Sequence, residues 1–168
     1  KELNIDSKTL RERAVLSQIS QTKNRGGNAE DYLSESDGDY LSKLIYRSFK
    51  RYEEKLKENN ALDFDDLLLK TLVLFERFPE VLSRYQERFR YILVDEYQDT
   101  NDVQFRLIYE LAKKYRNICV VGDDDQSIYR FRGANLENIL SFEAEFPGCY
   151  TVKLEQNYRS TSPILNLA

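Results

Sequence analysis

An apolar run that stops at two adjacent acids constrains this chain more than any other feature. Tyr91-Ile92-Leu93-Val94 leads directly into Asp95-Glu96, followed by Tyr97-Gln98-Asp99-Thr100. A short run with β-branched members, bounded by charge, reads as a buried strand. Two later runs share the plan. Ile118-Cys119-Val120-Val121 ends in the polar segment Gly122 to Ala134, and Tyr150 to Leu154 ends in Glu155-Gln156-Asn157-Tyr158-Arg159-Ser160. Helical patterns lie between them. Val103 to Tyr115 sets Phe105, Leu107, Ile108 and Leu111 on one side, and Leu136 to Phe146 is the second. Strands alternating with helices imply crossover connections and a parallel sheet. Ligands of such sheets bind beyond the carboxyl ends of the strands. The three polar segments are therefore expected along one edge.

The residue types at those ends suit phosphate chemistry. Mg²⁺ accepts one or two protein carboxylates and keeps several waters, so Asp95 can hold it. Glu96 can polarise an attacking water. The bland alternative for the same pattern is a strand ending in an acidic surface turn. Gln126, just past a strand end, has an amide that both donates and accepts. The Tyr158 ring can stack on a base, and the Arg159 guanidinium can clamp phosphate oxygens in bidentate fashion. Tyr129, Phe131 and Arg132 alternate aromatic and basic in a polar loop. Stacking of a base on an aromatic ring contributes about 1–3 kcal/mol and tolerates any sequence.

The front of the chain is helical. Residues 7 to 20 read as a helix with Ser7 as N-cap and Leu10, Val15, Leu16 and Ile19 as a partial stripe. Lys23 to Asn28, with Gly26-Gly27, reads as a loop. A long helix is expected from about Asp37 to Asn59, where Leu41, Leu44, Ile45, Phe49, Tyr52 and Leu56 recur at helical spacing. Lys50-Arg51 and Lys55-Lys57 then form a solvated face. Phe64 to Phe78 is a second periodic helix, capped by Asp63. Pro79 stops it or opens the next helix, to Phe89, at its first position. The change from helical front to α/β back falls near residue 90.

Composition removes several function classes. The chain has 168 residues, enough for one real core, and no histidine, so zinc sites and His-based acid–base catalysis are not expected. Its net charge of −4 argues against a protein held to nucleic acid by phosphate charge alone. A site that grips single strands by stacking stays open. Two cysteines without a secretory segment point to a reducing, cytoplasmic location. No apolar run approaches membrane-spanning length, so no membrane partner is expected.

Asp95-Glu96-Tyr97-Gln98-Asp99-Thr100-Asn101, Gly122 to Ala134, and Leu154-Glu155-Gln156-Asn157-Tyr158-Arg159-Ser160 closely resemble three consecutive motifs of superfamily 1 DNA helicases, in the UvrD/Rep/PcrA group. Ala61-Leu62-Asp63-Phe64-Asp65-Asp66-Leu67-Leu68 resembles the segment that precedes the Walker B strand in that group. The motif-bearing resemblance covers roughly residues 61 to 168 and is specific in order and spacing. Residues 1 to 60 resemble, more weakly, the tail of a helical insertion in the first motor domain. The fold implied is α/β, part of a RecA-like P-loop NTPase parallel sheet with a helical N-terminal subdomain.

The resemblance implies ATP and Mg²⁺ as cofactors and residue roles to match. Asp95 would be the magnesium carboxylate and Glu96 the general base. Gln126 would sense the γ-phosphate and link it to the DNA loop. Tyr158 would stack on adenine and Arg159 would reach the γ-phosphate. Phe64, Tyr129, Phe131 and Arg132 would touch single-stranded DNA; for Phe64 the competing reading is a helix-core side chain. Where Phe131 stands the family commonly has Trp, so weaker stacking is implied. Asp123-Asp124-Asp125 would be mainly a structural turn, with Asp125 near the magnesium network. Gln98 and Asp99 would organise the site by hydrogen bonds.

One departure matters. Gly26, Gly27, Gly38, Gly122, Gly133 and Gly148 are the only glycines, and none belongs to Gly-x-x-x-x-Gly-Lys-Ser/Thr. The chain also contains no Met. It is therefore expected to be an excised middle piece of a 3′-to-5′ DNA helicase and inactive alone. Its expected partners are single-stranded DNA, 3′-tailed duplexes and repair proteins. Three other readings stand beside this one: a helicase subunit of the AddA helicase–nuclease type, a non-catalytic nucleic-acid-binding module, and a magnesium nuclease built on Asp95, Glu96 and the Asp123 to Asp125 cluster. The last gives Gln126, Tyr158 and Arg159 no role.

Overall fold

The structure, a computed structural model, describes residues 3, 5, 6, 9–123, 126, 134, 135, 137–165 and 167. Five helices come first: α1 (Glu12–Asn24), α2 (Ala29–Glu35), α3 (Tyr40–Glu58), α4 (Phe64–Arg77) and α5 (Pro79–Arg88). Strand β1 (Ile92–Val94), a 3₁₀ turn (Tyr97–Asp99), α6 (Asp102–Ala112) and β2 (Ile118–Val120) follow. Short helices α7 (Glu137–Leu140), α8 (Phe142–Glu145) and α9 (Ser162–Leu165) close the described chain.

Local chemistry sets most of these boundaries. Asp63 caps α4 by accepting the Asp66 N–H, and Asp66 returns the bond to the Asp63 N–H, a reciprocal capping box. Pro79 begins α5, where a missing N–H costs nothing. Asp39 caps α3, and Asn101 caps α6 with Gln104 as its partner. The stripe on α3 closes one core, in which Leu44, Ile45 and Phe49 meet Ile19, Ala29 and Tyr32. Helix α4 packs against α1, α5 and α6, with Leu72 and Phe75 buried. An aromatic cluster supports the 3₁₀ turn. The Tyr97 ring meets Phe142 edge-on at 5.6 Å, and Phe142 stacks on Phe146 at 4.8 Å.

β1 and β2 pair in parallel, with Ile92 opposite Ile118 and Val94 opposite Val120, and α6 forms the crossover. The ladder extends past the strands: the Val121 N–H donates to the Val94 carbonyl and the Tyr97 N–H to the Val121 carbonyl. Both carboxyl ends are therefore held side by side, and an α/β architecture with a helical front is what the chain forms.

Five expectations need correction. The run before Asp95 forms a strand but not a buried one: Leu93 is 79% exposed, and Ile92 and Val94 are only half-buried. Tyr150 to Leu154 is not a strand; it makes no ladder with β1 or β2, and Tyr150, Val152 and Leu154 are exposed. β-Prone residues form a strand only against a neighbour. The Leu136–Phe146 pattern is interrupted at Ser141, giving α7 and α8; Leu136 itself lies outside the described residues. The first helix runs to Asn24, so Lys23 and Asn24 are helical and buried rather than loop. Its N-cap is Arg11, without a side-chain cap bond, while Ser7 lies outside the described residues. Helix α2 goes beyond the sequence reading; Asn28 and Asp31 build its capping box.

Candidate functional site

The two acids sit where β1 ends. Asp95 and Glu96 are both exposed, and Asp95 Oδ1 accepts the Glu96 N–H at 2.9 Å. Glu96 has φ +49 and ψ +42, a left-handed conformation uncommon for a non-glycine residue. Such backbone costs on the order of 1–3 kcal/mol and persists where surrounding bonds enforce it. Here the enforcement is visible on both sides: the Tyr97 N–H is tied to Val121, and the Glu96 carbonyl accepts the Asp99 N–H at 2.9 Å.

Gln98 joins this corner to the end of β2. It is 1% exposed. Its Nε2 donates to Glu96 Oε2 at 2.7 Å, and its Oε1 accepts the Asp123 N–H at 3.1 Å. Asp123 Oδ2 in turn accepts from Gln126 Nε2 at 2.7 Å. The structure thus brings Glu96 and Gln126 into one hydrogen-bonded chain through two intermediates. Gly122 makes the approach feasible, since a Cβ there would lie 2.8 Å from Gln98 Oε1 and 2.8 Å from Ile139 Cδ1. The resemblance implies Gln98 as an organiser; the fold makes it a bridge between two strand ends.

A cavity of about 320 Å³ opens beside the acids, lined by Val94, Asp95, Glu96, Thr100, Gln104 and Leu107 among others. An exposed carboxylate at a strand end, free to keep water around a cation, matches the way Mg²⁺ is held by one or two carboxylates. Among the described residues no group of three or more acids, cysteines or histidines could hold a metal. Asp124 and Asp125 lie outside the described residues.

Tyr158 and Arg159 are not brought to the acids by any hydrogen bond or ion pair among the described residues. Tyr158 is 87% exposed, and the Arg159 N–H donates to Asn157 Oδ1 at 2.9 Å within a turn. Phe64, the first residue of α4, is 90% exposed and packs in no helix core among the described residues. Tyr129, Phe131 and Arg132 lie outside the described residues.

The sequence missed a buried ionic centre next to Phe64. Lys23 is 2% exposed, and its Nζ lies 2.6 Å from Glu53, 2.8 Å from Asp63 and 3.0 Å from Asp66. Burial works against its charge, but hydrogen bonds to Asp63, Glu53 and Asp66 outweigh it and raise the Lys23 pKa. Tyr52 donates to Asp63 at 3.0 Å; its own hydroxyl is pushed up to about 12 by burial and by that bond. Nothing local pointed to this, because the partners are 30 to 43 residues away.

The elements define an α/β protein of the crossover-connected, parallel kind, with an acid pair at one strand end and a glutamine loop at the next. Residues 1–147 match the family described as the UvrD/REP helicase N-terminal domain, and the chain belongs to that family. It is 52% identical over 165 residues to an ATP-dependent DNA helicase PcrA of Staphylococcus epidermidis, covering 98% of this chain and 22% of that protein. A Staphylococcus aureus protein of the same name gives the same figures. The chain thus spans about a fifth of the length of the curated relatives it matches. No described helix is long and apolar enough to cross a membrane.

Proposed function

We propose that this chain is part of the first motor domain of an ATP-dependent DNA helicase that moves 3′ to 5′ on single-stranded DNA and unwinds duplexes, in repair or replication. Residues 61–168 are the C-terminal half of its RecA-like domain and residues 1–60 part of a helical insertion. The observation that carries this reading is the chain of bonds from Glu96 through Gln98 and Asp123 to Gln126. It connects a strand-end acid to Gln126, which precedes Tyr129, Phe131 and Arg132 in the sequence.

Bound Mg²⁺–ATP supplies the phosphoryl group and the cation that neutralises its oxygens. Asp95 holds the cation. Glu96 accepts a proton from the attacking water, and Gln98 fixes the direction in which the Glu96 carboxylate faces. Gln126 contacts the γ-phosphate, Arg159 clamps it and Tyr158 stacks on the adenine. Phe64 and the aromatic loop hold single-stranded DNA by stacking.

The test uses the helicase polypeptide that carries this segment, with duplexes bearing a 3′ or a 5′ single-stranded tail. Hydrolysis stimulated by single strands and unwinding of the 3′-tailed duplex alone are expected. Hydrolysis indifferent to DNA, or a preference for the 5′ tail, contradicts the reading.

A further inference from the structure

The last two residues of α1 hold both neighbours of Phe64. Lys23 Nζ bonds Asp63 Oδ2 at 2.8 Å on one side. Asn24 Nδ2 donates to Asp65 Oδ1 at 3.2 Å on the other. Asn24 is 6% exposed, and the rest of its amide is used as well. Its Nδ2 also reaches the Ser20 carbonyl at 2.8 Å and Ser20 Oγ at 3.2 Å, while its Oδ1 accepts from Asn101 Nδ2 at 2.6 Å.

Asn101 ends the segment that begins at Asp95-Glu96. It is 4% exposed and caps α6, its Oδ1 accepting the Gln104 N–H at 2.9 Å. Thr100, just before it, is itself buried and bonded to Tyr97 and Asn138. One buried amide therefore lies between the flank of an exposed aromatic and the tail of the strand-end acids. A fully bonded amide in a low-dielectric setting admits few alternative geometries. A shift of Asp65 either breaks its 3.2 Å bond to Asn24 or carries Asn24 with it, and with Asn24 its bond to Asn101.

We infer that Asn24 is a positioning residue that couples Phe64 to the Asp95–Asn101 segment, so that a single strand stacked on Phe64 changes the rate of ATP hydrolysis at Glu96. This rests on the function proposed above. Lys23 fixes the Asp63 side of Phe64 through three carboxylates, and the Asp65–Asn24–Asn101 path runs from its other side to the start of α6.

The test compares the unsubstituted helicase polypeptide with Asn24→Asp, Asp65→Ala and the double variant Asn24→Asp/Asp65→Asn. Asn24→Asp keeps an acceptor for Asn101 but sets a carboxylate against Asp65 and the Ser20 carbonyl; the added Asp65→Asn restores a donor across the Asp65 gap, and the Ser20 hydroxyl can turn to donate to the new carboxylate. ATP turnover is measured without DNA and with saturating single strands. Asn24→Asp and Asp65→Ala are each expected to lower DNA-stimulated kcat about tenfold, within the usual range of coupling between sites. The DNA-free rate and the KM for ATP stay unchanged, and the double variant recovers stimulation. Full stimulation in Asp65→Ala, or no recovery in the double variant, overturns the inference. Asp65 is partly exposed at a helix start, so its variant reports even if Asn24→Asp does not fold. An unsubstituted protein without DNA-stimulated hydrolysis would instead defeat the proposed function itself.

Discussion

Phe64 and Gln98 show how burial separates two kinds of residue in the proposed site. Phe64 is 90% exposed, so its removal takes little from the core. Phe64→Ala is expected to shift stability by less than about 0.5 kcal/mol, as surface changes do, and to weaken single-stranded DNA binding by about 1–3 kcal/mol. Thermal melting and strand titration on the same preparation check both. A buried Phe would instead cost roughly 3–5 kcal/mol on truncation, and that result would return Phe64 to the core. Gln98 is the opposite case. Gln98→Leu leaves the Asp123 N–H without its acceptor and frees the Glu96 carboxylate, so a loss of about 1–3 kcal/mol is expected. Denaturant titration measures it. Gly122→Ala should act on the same bridge, by pushing its added methyl against Gln98 Oε1.

At the scale of elements, the Lys23 centre ties α1, α3 and α4 together. Removing Lys23 leaves Glu53, Asp63 and Asp66 facing each other, with Lys70 reaching only Asp66, at 4.0 Å, and breaking a buried pair costs about 3–5 kcal/mol. Lys23→Met is expected to lose that much. Tyr52→Phe deletes only one hydrogen bond and should lose about 1 kcal/mol. Denaturant midpoints for both variants check the order. The pH dependence has a definite sign. Burial opposes the Asp63 charge, but bonds from Lys23, the Asp66 N–H and Tyr52 outweigh it and lower the pKa below 3.8. Its stabilising contribution is complete above that value and is lost as pH falls through the lower folded one. Lys23 is raised above 10.5, so its contribution is complete below that value and is lost only as pH rises through the higher folded one. Stability followed from pH 7 downward should therefore fall through the acid limb, and Tyr52→Phe should move that limb toward higher pH.

These elements also mark what the sequence carried and what it withheld. Asp63, Pro79 and the α3 stripe act locally, and their helices begin and bury as their spacing indicates. The Asp95–Glu96 strand end and its parallel partner were legible for the same reason: apolar runs and charge boundaries are short-range signals. Lys23 was not, since its charge is compensated by residues from two other helices, and the Gly26-Gly27 that follows it made the stretch read as a loop. Tyr150 to Leu154 misled because a strand is a property of a pair. The Asn28–Asp31 capping box was a signal within reach, three residues apart and just before α2.

For the whole molecule, the sheet and the segment beyond it expose apolar side chains. Leu93 is 79% exposed, Val121 51% and Leu154 85%. A pair of strands with an open face is marginal in water, and contiguous exposed apolar surface promotes association. The 168-residue chain alone is expected to self-associate as concentration rises, which sedimentation velocity reads directly. It is also expected not to hydrolyse ATP, because its sequence holds no phosphate-cradling glycine loop. The central claim is that Glu96 is the base at a strand end where ATP is cleaved. Its most direct test is Glu96→Gln in the helicase polypeptide that carries this segment, with nucleotide binding and DNA-stimulated phosphate release measured together. The amide keeps the shape but cannot take the water proton, so binding should persist while turnover falls by roughly 10²–10⁴-fold. Near-normal turnover in that variant would contradict the account.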